Sequence, residues 1–303
     1  MASESNRFSR REFLGTAIAL GAAGAVVPRI MAAEAQGKPN WQIGCYTRPW
    51  AQWDWRVALD AIAEAGFKYA GLMTTKGGLI VSNATTPEQA GVVAEEVRNR
   101  KLTIASAWCG DIDVRKGLEA GIQSLRRMID NCAIIGAGNL LMGGVGDAKL
   151  YDTYYKAIKE CCDYAAEKKL GISVKPHGGL NSTGPQCRKT IEQVGNKNFG
   201  LWYDPGNIFY YSDGKIDPVD DSKTVDGIVV GMSVKDFTPP KEVDVTPGTG
   251  KVNFKTVMAN LIKGGFTSGP LIVECLSRGD QPATLTEAKK ARAFLEDLTG
   301  QKA

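Results

Sequence analysis

The chain has 303 residues, 43% of them hydrophobic and 23% charged, with a formal net charge of +4. That balance excludes disordered and fibrous compositions, and so small a charge excludes an electrostatic footprint for nucleic acid or lipid headgroups. A sizeable core is possible, and because α/β barrels occupy about 250 residues as one unit, the length does not demand a second domain.

Residues 1–35 read as an export signal. Ser9-Arg10-Arg11-Glu12-Phe13-Leu14 precedes a small apolar run, Thr16 to Val27, that carries no charge. This is the layout of a twin-arginine signal, too short for a comfortable bilayer span. Ala33-Glu34-Ala35 offers small residues for cleavage, so no stable membrane insertion is expected afterwards; an uncleaved N-terminal anchor is the alternative. The expected organisation is a signal peptide over 1–35 and one domain over 36–303, working in a periplasm-like compartment. Residues 1–35 hold four Arg and three Glu, which leaves the remainder with 33 basic and 30 acidic residues and a formal charge of +3. A neutral or small anionic partner suits that balance.

From residue 41 onward, short apolar runs alternate with amphipathic stretches and no linker interrupts them. Strands are predicted at Gln42–Tyr46, Tyr69–Met73, Thr103–Trp108, Asn139–Gly143, Gly171–Lys175, Phe199–Asp204, Gly227–Val234 and Pro270–Glu274. Nearly all are continuous apolar runs, as in parallel strands buried on both faces. Helical periodicity falls at Trp55–Ala65, Pro87–Arg100, Val114–Gly136, Leu150–Lys169, Gln186–Val194, Asp217–Thr224, Asn253–Gly264 and Thr284–Leu298. Thr86-Pro87 supplies a cap and a first-turn proline, and left-handed caps are expected at Gly66, Gly136, Gly171 and Gly264. No glycine-rich phosphate loop follows the first strand, so a closed (β/α)₈ TIM barrel is preferred over an open doubly wound sheet, and no nucleotide cofactor is expected.

Seven cysteines (Cys45, Cys109, Cys132, Cys161, Cys162, Cys187 and Cys275) match no zinc or redox spacing. Most are expected to be buried thiols, with one of Cys161 and Cys162 facing the core and the other facing outward or toward a partner helix.

In such a barrel the reacting groups stand where strands finish. Strand five ends in Val174-Lys175-Pro176-His177-Gly178-Gly179, strand six in Trp202-Tyr203-Asp204-Pro205-Gly206-Asn207, strand seven in Ser233-Val234-Lys235-Asp236 and strand eight in Val273-Glu274-Cys275. Charge at four successive strand ends is unusual for a structural rim. His177 is the sole histidine, which excludes multi-histidine zinc sites and histidine-pair mechanisms. Tyr46, Arg48, Trp50, Trp53 and Trp55 crowd the end of strand one and Trp108 ends strand three. Trp50 and Trp108 are the candidates to line a substrate pocket, with Arg48 pairing with a carboxylate or hydroxyls.

Asp204-Pro205-Gly206-Asn207, Val234-Lys235-Asp236, the loop Pro247-Gly248-Thr249-Gly250-Lys251-Val252-Asn253-Phe254, and Gly264-Gly265-Phe266 leading to Ile272-Val273-Glu274 together resemble the xylose isomerase-like barrel superfamily. That superfamily includes ketose 3-epimerases, hydroxypyruvate isomerases and inosose dehydratases. The resemblance covers about residues 41–298. It implies one divalent metal (Mn²⁺, Mg²⁺ or Co²⁺) held by Glu, Asp, His and Glu from strands five to eight. Asp204 and Glu274 match, whereas Lys175 stands at the strand-five Glu position and Ser233 at the strand-seven His position. An ammonium has no lone pair for a metal, and a serine hydroxyl is a poor ligand beside imidazole.

Two readings stay open. In one, Lys175 takes the metal's place between Asp204 and Glu274 and polarises a substrate carbonyl, while Glu274 removes the neighbouring proton and His177 or Lys175 returns it. In the other, Asp204 and Glu274 keep a metal with help from His177, Asn207 or Asp236. The catalytic candidates are Glu274, Lys175 and His177; the substrate-binding candidates are Asp204, Asn207, Lys235, Arg48, Trp50 and Trp108. The function implied is an exported sugar or polyol isomerase or epimerase, or a related keto-sugar lyase, acting on a small molecule with homo-oligomers left open. The alternative is a non-catalytic sugar-binding barrel that has lost its metal site.

Overall fold

The computed structural model describes residues 40–303, and the predicted export signal lies outside them. Eight parallel strands run β1 (Trp41–Tyr46), β2 (Tyr69–Leu72), β3 (Thr103–Trp108), β4 (Asn139–Met142), β5 (Gly171–Val174), β6 (Phe199–Tyr203), β7 (Val229–Val234) and β8 (Gly269–Val273). Each pairs with the next, and β8 returns to β1 through the register Trp41↔Gly269 to Cys45↔Val273, which closes the barrel. All eight lie within two residues of the predicted strands, because strands buried on both faces announce themselves as unbroken apolar runs. A short hairpin, Thr74–Thr75 against Gly78–Leu79, follows β2.

The surrounding helices are α1 (Trp55–Glu64), α2 (Pro87–Asn99), α3 (Leu118–Ile135), α4 (Tyr151–Glu167), α5 (Gly184–Val194), α6 (Pro205–Tyr211), α7 (Pro218–Asp221), α8 (Phe254–Lys263) and α9 (Gln281–Thr299). Among the described residues none is long and apolar enough to cross a membrane. The stretch predicted as one helix from Val114 is broken: a 3-10 turn spans Val114–Lys116, and Gly117 at φ 100° separates it from α3. Left-handed caps occur at Gly66 and Gly136 as expected, but not at Gly171 or Gly264. Gly171 opens β5, and Lys169 makes the preceding turn at φ 60°; after α8 the positive φ belongs to Gly265.

The core has two layers. Between strands and helices lies one continuous apolar cluster, while Tyr46, Met73, Ala105, Leu141, Trp202 and Ile272 fill the barrel interior. Gly71 and Gly231 make room there, since a Cβ at either position would enter the ring of Tyr46 or Trp202. All seven cysteines are buried free thiols. Of the two placements expected for the second cysteine of the Cys161–Cys162 pair, the partner-helix one occurs: Cys161 Sγ turns toward the Ile122 carbonyl of α3, while Cys162 Sγ turns toward Ile158 O of its own helix. A helix wedged between barrel and neighbouring helix has two buried faces, so adjacent positions can both be covered.

Candidate active site

The residue immediately after each of β5, β6, β7 and β8 is Lys175, Asp204, Lys235 and Glu274, so charge alternates in sign around half the barrel mouth. The side chains meet. Lys175 Nζ lies 2.8 Å and 2.9 Å from the two oxygens of Glu274 and 3.3 Å from Asp204 Oδ2; Lys235 Nζ lies 2.7 Å from Glu274 Oε1 and 3.0 Å from Asp204 Oδ2. All four residues are buried, none more than 4% exposed. Each carboxylate is therefore shared by two ammoniums and each ammonium by two carboxylates.

Neighbouring groups hold this ring in place. Pro205 opens α6, and Asp204 caps it by accepting a hydrogen bond on Oδ1 from the Asn207 peptide N–H at 2.9 Å, which leaves Oδ2 for the lysines. Asn207 Oδ1 accepts from Lys235 Nζ at 2.9 Å, completing three acceptors for that ammonium, while Asn207 Nδ2 donates to Pro176 O at 2.6 Å. Ser233 Oγ donates to Glu274 Oε2 at 2.6 Å and accepts from Trp202 Nε1 at 3.2 Å. Gly206 is needed for close approach, because a Cβ there would stand 2.7 Å from Lys235 Cγ and 2.8 Å from its carbonyl oxygen.

Burial opposes ionisation of Glu274, but the charges of Lys175, Lys235 and Arg48 outweigh it and hold the carboxyl well below its ordinary value. Burial likewise opposes the charge on Lys235, and Asp204 and Glu274 reverse that effect and raise it. At an effective dielectric near 20 each contact attracts by roughly 4 kcal/mol, against a desolvation penalty of several kcal/mol per ion. The ring is thus near break-even as a whole and strongly unfavourable once one member is lost.

The two carboxylates do not fit a divalent metal in this arrangement. The space between them is filled by two ammoniums that a cation would have to expel, and the described residues contain no cluster of three or more His, Cys, Asp or Glu that could hold one. Asp236 gives no help. Its carboxylate accepts four backbone N–H groups, from Phe237, Gly248, Gly250 and Val252 at 2.8 to 3.0 Å, and so pins the loop that leads into α8.

His177 stands on the open side of the ring, its imidazole 5.2 Å from the Trp108 ring and 5.6 Å from that of Tyr211. Its peptide N–H donates to Asn181 O at 2.8 Å, while its ring nitrogens make no hydrogen bond among the described residues. Although part of the side chain faces solvent, enclosure and the ammoniums of Lys175 and Lys235 push its pKa down to about 4, so the ring is neutral at pH 7. Trp108 also faces Lys175, whose Nζ lies 5.7 Å from its ring centre.

Asp111, which the sequence reading does not single out, joins this group. Its Oδ1 accepts from Gly143 N at 3.0 Å and Tyr154 OH at 2.8 Å. A Cβ on Gly143 would lie 3.1 Å from Asp111 Oδ2, 3.2 Å from His177 Nδ1 and 2.6 Å from Trp108, so Gly143 is where the three converge. Arg48 sits at the opposite edge, donating to Asp244 Oδ1 at 2.7 Å and to Cys275 Sγ at 2.6 Å. Trp50 does not join them: it is 1% exposed and belongs to the apolar core, since the turn Arg48–Trp50 points Arg48 to the rim and the indole inward.

Removing one ring charge leaves a buried ion without its partner. Glu274→Gln is expected to destabilise the fold by about 3–5 kcal/mol, and adding Lys175→Met should recover at least about 1 kcal/mol of that loss through coupling; urea unfolding of the single and double variants reads both. Glu274 contributes stability fully present above pH 4.5 and lost as pH falls through its depressed value, and Lys235 contributes stability present below pH 10.5 and lost above. Strictly additive single and double variants would contradict the ring. His177, the single histidine, should titrate near pH 4 by NMR; a midpoint near 6.5 would show that neither its enclosure nor the lysine charges act on it.

The family model of the xylose isomerase-like TIM barrel matches residues 59–298. Among curated proteins no sequence match is found. Solved structures similar to this chain include a xylose isomerase-like TIM barrel protein from Mycobacterium smegmatis in complex with magnesium, 16% identical with a TM-score of 0.69, covering 86% of this chain and 96% of that one. Another is a D-psicose 3-epimerase crystallised in the presence of D-fructose, 14% identical with a TM-score of 0.68, covering 86% and 100%. A third is a probable 3-DHS dehydratase from Bacillus anthracis, 13% identical with a TM-score of 0.63, covering 84% and 98%. At these identities the structures show a shared fold, and with the matched family model they establish that this chain belongs to the xylose isomerase-like TIM barrel family.

Proposed function

We propose that the protein is a sugar- or polyol-directed isomerase or epimerase that moves a proton beside a carbonyl with two lysines where its relatives' fold would place a metal. The observation that carries this reading is the buried Lys175–Glu274–Lys235–Asp204 ring at the mouth where barrel enzymes act. Because such a ring contributes little net stability, its presence is better explained by chemistry than by the fold. The sugar epimerases among similar structures support the substrate class.

Both ammoniums have three acceptors, but Lys175 lies beside Trp108 and is the lysine charge that acts more strongly on His177, and its 3.3 Å contact with Asp204 is the longest in the ring, so in this reading Lys175 is the ammonium that meets the substrate carbonyl oxygen. Breaking the adjacent C–H bond sends its electron pair toward that oxygen, and the ammonium stabilises the enediolate formed. The proton goes to a group with a free lone pair. Glu274 is ionised, but both its oxygens already accept from lysine or Ser233 and neither offers a free lone pair. His177 is neutral at pH 7 with unpaired ring nitrogens, so the role of base passes to His177, and Glu274 orients the two ammoniums. Return of this proton from the His177 imidazolium to the neighbouring carbon, as the hydroxyl proton passes between the two enediolate oxygens, completes isomerisation; delivery of a proton drawn from solvent to the opposite face of the carbon that lost it completes epimerisation. Trp108 and Tyr211 flank this position and suit the C–H face of a sugar.

Residues 1–35 act, in this reading, as a cleaved twin-arginine signal that delivers the barrel to the periplasm, on the strength of Arg10-Arg11 and the uncharged run to Val27. N-terminal sequencing of periplasmic protein checks it, and a cytosolic chain retaining Arg10-Arg11 would contradict it. A non-catalytic binding barrel is the second reading, favoured by the mutual satisfaction of the four charges.

Substrate C–H exchange in heavy water separates the two. A panel of ketoses and aldoses should show exchange with at least one member, reduced about 10²-fold or more in His177→Gln and Lys175→Met. Binding without exchange by any sugar that binds would leave the non-catalytic barrel.

A further inference from the structure

A cavity of about 490 Å³ opens at the mouth beside the charge ring, lined by Arg48, Gln52, Thr74, Asp244, Ser277 and Arg278 among others. Arg48 connects the two, since it lines the cavity and reaches the sulfur of Cys275, the residue next to Glu274. The volume suits a monosaccharide-sized ligand.

The charge of this cavity is unbalanced. Arg48 and Arg278 share one carboxylate: Arg48 Nη1 lies 2.7 Å from Asp244 Oδ1, and Arg278 Nε and Nη2 lie 2.7 Å and 2.5 Å from Oδ2. Burial works against ionisation of Asp244, but the two guanidiniums hold its carboxyl below the ordinary value. Each guanidinium carries five N–H donors. Arg48 Nε and Nη2, and Arg278 Nη1, have no hydrogen-bond partner among the described residues. The nearby Glu242 raises Arg278, but its Oε1 is engaged by the Val243 and Asp244 peptide N–H groups and it does not line the cavity. The Arg48 side chain is 32% exposed and that of Asp244 13%, so this pair keeps its geometry while its spare donors face the cavity.

We propose that this cavity binds the anionic end of the substrate, a carboxylate or phosphate ester carried by a sugar, through the spare N–H groups of Arg48 and Arg278. The inference rests on the sugar-directed reading above and specifies the substrate class. Planar guanidinium forks match such oxygens bidentately, and the bound anion restores the charge balance that Asp244 alone leaves short by one. Selection follows: a neutral sugar leaves the spare cationic donors to water, while its acid or phosphate analogue engages them.

Isothermal titration calorimetry of the purified protein tests this with hexoses, their uronates and aldonates, and hexose phosphates. A charged analogue should bind about tenfold or more tightly than its neutral parent, the difference expected of one charge-assisted hydrogen bond. The preference should shrink with added salt and collapse in Arg278→Gln, whose side chain is 83% exposed and whose loss does not threaten folding. Uronates ahead of phosphates identifies a carboxylate ligand, and the reverse order a phosphate ester; both support the inference. Equal affinity for neutral and anionic members, or an unchanged preference in Arg278→Gln, overturns it while the sugar-directed reading stands. If no member of the panel binds, that reading falls and the inference with it.

Discussion

A lysine ammonium buried between two carboxylates is the constraint on which this site depends. Lys175 would be untenable at a dry strand end by itself, and so would Asp204 or Glu274. The second lysine makes the arrangement close. With Lys235 present every ion touches two of opposite sign, the four charges sum to zero, and neighbours such as Asn207 and Ser233 take part of the remaining hydrogen-bonding capacity. The helix cap at Asp204 and the missing side chain at Gly206 then become conditions for the ring: one aims Oδ2 at the lysines, and the other lets α6 approach the backbone of Lys235.

From this follows a division of labour at the mouth. The ring is a fixed electrostatic element whose members hold one another in their charged forms, which suits stabilisation of a developing oxyanion and suits proton transfer poorly. In the proposed reaction proton transfer falls to a group outside it, and His177, with a neutral ring and free nitrogens, is the candidate. Asp111 and Trp108 meet His177 around Gly143, so the surroundings of the imidazole come from β3, β4 and β5 while the ring comes from β5 to β8. A rim assembled from many strand ends is what allows this fold to change its chemistry without changing its barrel.

The barrel was legible in the sequence because burial on both faces erases polar alternation from parallel strands, and the runs from β1 to β8 read through to the end. Lys175, Asp204 and Glu274 were legible for a related reason: a charge directly after an unbroken apolar run has few explanations. Lys235 was legible only as a substrate-binding candidate and not as a partner of both carboxylates, yet successive side chains near a strand end point to opposite sides. Lys235 accordingly enters the ring while Asp236 turns to the loop at Gly248 and Gly250. Helix α6 was missed although Asp204-Pro205 carries both its cap and its first-turn proline, because the aspartate was read for its charge alone. Asp111 lies in an irregular loop with no periodicity to mark it, and only the fold brings it to His177. Trp50 was misplaced because an indole near a strand end reads the same whether it faces the mouth or the core.

Two ammoniums fill the space between Asp204 and Glu274, and whether they exclude a divalent cation there is the most direct test of the site. Elemental analysis of chelator-free protein, equilibrated with Mn²⁺, Mg²⁺ and Co²⁺ and then desalted, addresses it directly. The structure predicts no stoichiometric metal in the wild type. One equivalent per chain that disappears in Glu274→Gln would contradict it.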